Sequence, residues 1–257
     1  MSTPSSPVGS ETLQQQPQAA LSEPSRLLGV FIRPSKTFAD LNRSAKWWAP
    51  FLLLIVMNLA FTVTIDRTAG FSAMAEQGLR QNPKASERMD SLPPDQRERQ
   101  MAVVTKFVKY AAYASPLSLL IVVLIVAAIL MGTFNFGFAR ELRFGPTVAV
   151  VVYSLLPSAI YTLLAIIVLA VSSHPGDINL QNVAATNLAF FVDESTTSPS
   201  LYALLRSFDI FYVWPVALIG IGLAAIGAGK RSTSLAVVFG WWFLLLIGLV
   251  GLKALNS

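Results

Sequence analysis

The sequence predicts an all-α fold: a polytopic membrane helical bundle with five transmembrane helices, its N-terminus cytoplasmic and its C-terminus outside. Three observations carry that prediction. Five long apolar runs, Trp47–Ile65, Tyr110–Phe138, Thr147–Val171, Ile210–Ala228 and Leu235–Leu252, contain no charged residue. A helix rising ~1.5 Å per residue needs roughly 20 apolar residues to cross the hydrocarbon layer, and every run approaches or exceeds that length. The composition agrees, with 54% hydrophobic and 13% charged residues among 257 and a mean hydropathy of +0.58. Finally, Lys and Arg gather at particular ends of the runs, which sets the orientation.

The elements follow in order. Residues 1–24 are rich in Ser, Pro and Gln without an apolar face, and read as a disordered polar tail. No apolar region lies close to the start, as a cleaved signal peptide would have, so the first span is expected to stay as an uncleaved anchor. Residues 25–46 form an interfacial amphipathic segment. Leu27, Leu28, Val30, Phe31, Phe38 and Leu41 alternate there with basic residues just before Trp47 and Trp48, which suits short helices in the interface with tryptophans at headgroup level. The five-span membrane domain then occupies 47–255.

Within the first long loop, Leu92-Pro93-Pro94-Asp95 marks a helix start with Asp95 as cap and Glu98 three residues on, from which one helix runs into span two. The patch Leu188–Val192 is too short to span and reads as interfacial or re-entrant. Pro50, Pro116 and Pro146 are expected near helix starts, whereas Pro157 and Pro215 sit deeper and should free the carbonyls of Tyr153 and Phe211. Those kinks serve either a gate or packing, and packing is the preferred reading. Gly220, Ala224 and Ala228 in span four, and Ala128 and Gly132 in span two, form small-residue rows suited to close helix approach.

Orientation rests on a charge count. Arg26, Arg33, Lys36, Arg43, Lys46, Arg140, Arg143, Lys230 and Arg231 fall on one side, nine basic residues against four acidic. The loop 172–207 holds one Arg and three acids, while the long loop 66–109 holds eight basic residues and six acids. Arg67, Lys106 and Lys109 lie near span ends and oppose the assignment, but the balance places the N-terminus inside. With the basic residues beside membrane spans, the net charge of +5 does not indicate nucleic-acid binding.

Chemical motifs are sparse. No cysteine is present, and the single His174 lies in the turn Ser173-His174-Pro175-Gly176, which suits a solvated residue and leaves no set of zinc ligands. Gly220-Ile221-Gly222 imitates a dinucleotide fingerprint, but mid-span instead of after a strand. Asn58, Asn135, Tyr153 and Tyr161 are the polar residues within the runs, with Asp209 at the mouth of span four as a helix cap. Buried ionisable groups of the kind ion-coupled transporters use are not expected. Catalytic, cofactor-binding and metal sites are therefore all expected to be none.

The succession Arg26-Leu-Leu-Gly-Val-Phe-Ile-Arg-Pro-Ser-Lys-Thr-Phe38 ahead of Trp47-Trp48-Ala-Pro50 resembles the opening of bacterial Yip1-domain proteins. Arg143-Phe-Gly-Pro-Thr147 with Val152-Tyr-Ser-Leu-Leu-Pro157 is similar to their third span. Asp209-Ile-Phe-Tyr-Val-Trp214 through Gly220-Ile-Gly222 and Lys230-Arg231-Ser232-Thr233 is similar to their fourth span and following turn. The resemblance covers about residues 26–255 and implies a five-span fold with a cytoplasmic N-terminus. Eukaryotic relatives act in vesicle traffic with Rab-type GTPases. Their Asp-Leu-Tyr-Gly-Pro pattern is missing before span one, so that activity is not carried over, and no catalytic residue is implied.

The expected function is a non-enzymatic integral membrane protein that organises membrane, acts as a scaffold or recruits a partner, in a bacterial cytoplasmic (inner) membrane. Its partners would be the lipid bilayer and a membrane protein or second copy held through small-residue faces. The alternative is a small permease or channel component with a pathway between spans three and four. A lined aqueous cavity holding Asn58, Asn135 or Tyr153 would favour transport, and a dry packed interior the scaffold.

Overall fold

The computed structural model describes residues 20–256 apart from 181, 185, 194 and 195. The first nineteen residues of the expected tail lie outside that range. Two short helices, α1 (Glu23–Ile32) and α2 (Pro34–Leu41), precede the first span, α3 (Trp48–Arg67). Helices α4 (Gly70–Arg80) and α5 (Pro83–Asp90) fill the first long loop. Span two is the far part of α6 (Pro94–Gly137), and span three is divided into α7 (Phe144–Ser154) and α8 (Leu156–Val171). After a loop carrying α9 (Pro199–Ser207), span four is α10 (Ile210–Leu223) continued by a π-turn, Ala224–Ala228, and span five is α11 (Arg231–Asn256). Five helices are long and apolar enough to cross a membrane, at the five places the apolar runs mark. The end of the bundle holding α1 and α2 is called the near end below.

Caps and breakers explain the opening hairpin. The Ser25 amide donates to the Ser22 hydroxyl at 3.4 Å, and Pro24 lies in the first turn of α1, so the helix takes in the last two residues of the expected tail. Pro34 opens α2, where a missing N–H leaves nothing unpaired. Short helices thus form where they are expected, but they are packed into the bundle: Val30, Phe38 and Leu41 are fully buried.

Contacts set the depth of this hairpin. The ring of Phe31 meets Trp214 edge-on, with centroids 5.6 Å apart. A Cβ added to Gly222 would lie 3.1 Å from the Phe38 ring and 2.5 Å from Val150. Gly222 is six residues, about 9 Å of helix, from the near end of span four at Ala228, and Trp214 is fourteen residues, about 21 Å, from it. At the exit, the Arg143 guanidinium at the foot of α7 donates to the Asn42 carbonyl at 2.7 Å. The hairpin therefore enters from the near end, packs against span four between these two levels and returns.

Span three is the core element. Every residue from Pro146 to Ser154 is buried, because α1, α2, α3, α6 and α10 all pack around α7. Pro157 does not merely kink this span; the helix is interrupted at Leu155 and restarts with Pro157 in its first turn, while the Ser158 hydroxyl donates to the Leu155 carbonyl at 2.6 Å. Pro215 lies inside α10. Pro116 corrects an expectation: it lies inside a continuous α6 of 44 residues, far from the helix start at Pro94. That helix measures about 66 Å, more than twice the ~30 Å hydrocarbon layer. Its start is where Leu92-Pro93-Pro94-Asp95 places it, although Pro93 is the cap residue and Asp95 sits in the first turn.

Small residues in span four do bring helices together. A Cβ on Gly220 would lie 2.8 Å from the Leu235 side chain and 3.0 Å from its Cα, so α10 and α11 touch nearly backbone to backbone. Gly220 and Ala228 are buried and Ala224 is half-buried. In span two, by contrast, Ala128 is exposed and the only neighbour of Gly132 is Phe136 of the same helix. A second, smaller core lies at the far end, where Ile65, Phe71, Ala165, Leu169, Leu180 and Val183 meet beneath the loops.

Candidate functional site

The hairpin brings together charges that are far apart in sequence. Arg26, on the inner face of α1, is 1% exposed. Its Nε donates to Asp40 Oδ2 at 2.8 Å, a terminal nitrogen approaches the same oxygen at 2.7 Å, and the other donates to Glu23 Oε1 at 2.9 Å. Tyr153 of α7 donates its hydroxyl to the second Glu23 oxygen at 2.9 Å. The Leu21 amide reaches the remaining Asp40 oxygen at 3.4 Å. One guanidinium fork thereby joins α1 to α2, and Glu23 joins both to the core of span three.

Electrostatics favour the charged guanidinium of Arg26. Burial lowers the pKa of a guanidinium, but the hydrogen bond and charge of Asp40 and the charge of Glu23 outweigh it and hold Arg26 above its ordinary value. Each carboxylate oxygen already accepts a donor, and the charges are held against one another. The arrangement latches a re-entrant hairpin; it does not leave a carboxylate free to act as a base.

The two asparagines within the runs, Asn58 and Asn135, are likewise engaged. Asn135 donates to the Leu142 carbonyl at 3.0 Å and accepts from the Leu142 amide at 2.8 Å, closing the turn between spans two and three. Asn58 accepts from the Ser115 hydroxyl at 2.6 Å, which ties span one to span two. The ring of Tyr161 packs on Phe211 with centroids 5.8 Å apart. Ser154 and Ser234 are the buried side chains among the described residues whose hydroxyls find no partner.

At the opposite end, Asp209 caps α10 through the Phe211 amide at 2.7 Å, as expected. It also accepts from Asn187 at 3.2 Å and from the Thr186 hydroxyl, fastening the last long loop to the helix start. Gln77 of α4 pins the same loop twice, donating to the Ile178 carbonyl at 2.8 Å and accepting from the Leu180 amide at 2.9 Å. His174 stands exposed in its turn. Among the described residues no three His, Cys, Asp or Glu side chains gather as a metal ion requires.

Sequence reasoning missed the network because it searched the spans for ionisable groups and assigned Glu23, Arg26 and Asp40 to the tail and interface. A signal existed. Glu23 and Arg26 stand one helical turn apart, and Asp40 faces Arg26 once Pro34 folds the segment back on itself.

The family model for the Yip1 domain matches residues 28–252. No curated protein and no solved structure matches the chain.

Proposed function

Because the chain belongs to the Yip1-domain family, we propose that it is a non-enzymatic integral membrane protein that organises membrane or recruits a membrane-protein partner. It sits in a bacterial cytoplasmic membrane with its N-terminus inside. The supporting observation is that the charged side chains of the hairpin and the asparagines of the spans are engaged by partners within the bundle. Arg26, Glu23, Asp40 and Tyr153 form one network, Asn135 closes a turn and Asn58 joins two spans. A transport pathway needs polar groups turned toward water, whereas these hold helices together.

The near-end surface is the part offered to a partner. The latch fixes the shape of the hairpin, and the Arg143–Asn42 contact fixes its exit, so this face is rigid enough to be recognised. Purification from native membranes, with identification of co-purifying proteins, tests the reading. A partner retained by the native chain and lost on Arg26→Ala, with insertion unchanged, is the expected result. In reconstituted vesicles, solute flux that depends on the protein and is abolished by Pro157→Ala would make the permease the better description.

A further inference from the structure

The tip of the hairpin carries two exposed cations beside the membrane-spanning helices. Arg33 and Lys36 are both exposed, and neither has a carboxylate within ion-pairing distance among the described residues. Both near-end acids of the hairpin, Glu23 and Asp40, are spent on buried Arg26. Beside the two cations, Leu28 and Ile32 lie one helical turn apart and are 65% and 74% exposed. An outward apolar stripe next to a pair of unpaired cations is therefore fixed on the outside of the bundle. The Phe31–Trp214 and Phe38–Gly222 contacts set the hairpin against span four, between about 9 and about 21 Å from its near end.

A cation at that level is costly against hydrocarbon unless it snorkels or draws a headgroup inward. An aliphatic stripe at the same place is favourable against acyl chains. We propose that this tip is a binding site for an anionic glycerophospholipid, its phosphate held by Arg33 and Lys36 and its acyl chains lying along Leu28 and Ile32. The two halves of the site match the two halves of one lipid. A zwitterionic lipid offers the same phosphate with its own neutralising ammonium, so the site selects for net negative charge. The binding is independent of the recruiting role and of which leaflet the near end faces.

Spin-labelled phosphatidylglycerol and spin-labelled phosphatidylcholine, each introduced into phosphatidylcholine bilayers holding the full chain, measure the preference directly. The native protein should immobilise the anionic probe preferentially. Arg33→Gln with Lys36→Gln should reduce that preference about 25-fold, from about fivefold per basic residue, with helix content by circular dichroism unchanged. Lys230→Gln with Arg231→Gln, at the near rim between spans four and five, should change it less than threefold. Equal immobilisation of both probes by the native protein overturns the proposal. So does an equal loss in the two double variants, which would mark diffuse surface attraction, or a preference that survives removal of Arg33 and Lys36. A tip variant that loses self-association in place of lipid preference would assign the face to a second copy and overturn it as well.

Discussion

Arg26 sets the behaviour of the residues around it. Removing one partner from a buried ion-pair network leaves the others uncompensated, at about 3–5 kcal/mol. Arg26→Met should therefore lower the stability of the purified protein by about that amount, read as unfolding in mixed micelles. Tyr153→Phe removes one hydrogen bond to a charged oxygen and keeps the packing, so about 1.5–3 kcal/mol should be lost. If Tyr153→Phe is neutral while Arg26→Met is not, Glu23 finds its second donor elsewhere and the tie to span three is not needed. His174→Ala, in an exposed turn, should stay within about 0.5 kcal/mol of the native protein in the same assay. Asp209, Asn135 and His174 are legible as cap, polar span residue and solvated loop residue, because the cap bond to Phe211 and the turn bond to Leu142 are local and an exposed loop residue needs no distant partner. The Arg26 network is not, since Arg26 and Asp40 meet only after the chain reverses at Pro34 and is pressed against Tyr153, a hundred and more positions away.

At the scale of elements, glycines decide which helices touch. Gly222 lies where α2, α7 and α10 converge, and any added carbon meets Val150 and the Phe38 ring. Gly222→Ala should cost about 1–3 kcal/mol through overpacking and loosen the hairpin from span four. Gly132→Ala meets no other helix and, by better helix propensity, should be neutral or stabilising by up to about 1 kcal/mol. Thermal unfolding of the two variants in one detergent separates them, and equal losses would refute the role given to Gly222. The five spans were legible because lipid demands a continuous apolar run of fixed length, which no tertiary contact needs to supply. Helices α4 and α5 were not foreseen, since neither carries a long apolar run; α4 is held by packing on α6 through Phe71 and Ala75 and by the Gln77 contacts. Gly222 was passed over for the same reason: its neighbours come from two other elements, and the four-residue rhythm of Gly220, Ala224 and Ala228 drew attention to another face.

For the whole molecule the open quantity is direction across the membrane. The near end gathers the foot of span one, the turn after α6 and the turn between spans four and five, so the nine basic residues of the charge count share that end with the re-entrant hairpin. Two of them, Arg26 and Arg143, are engaged inside the protein, with Glu23 and Asp40 and with Asn42 respectively. The basic residues near span ends that argue the other way are Arg67, Lys106 and Lys109, fewer than the nine at the near end. Lys and Arg flanking the spans are retained preferentially in the cytoplasm during insertion, so the near end should face inward and the long stem of α6 outward. A reporter active only outside the cytoplasm should work after Ala85, after Phe190 and at the C-terminus, and stay silent at Arg143 and Lys230. Five crossings require the two termini to lie on opposite sides, so the three active positions test the span count and the orientation together. Activity at Arg143 and Lys230 with silence at the other three would reverse the bundle while keeping its five spans. A C-terminus on the same side as the N-terminus would instead require an even number of crossings and would overturn the reading of all five helices as spans.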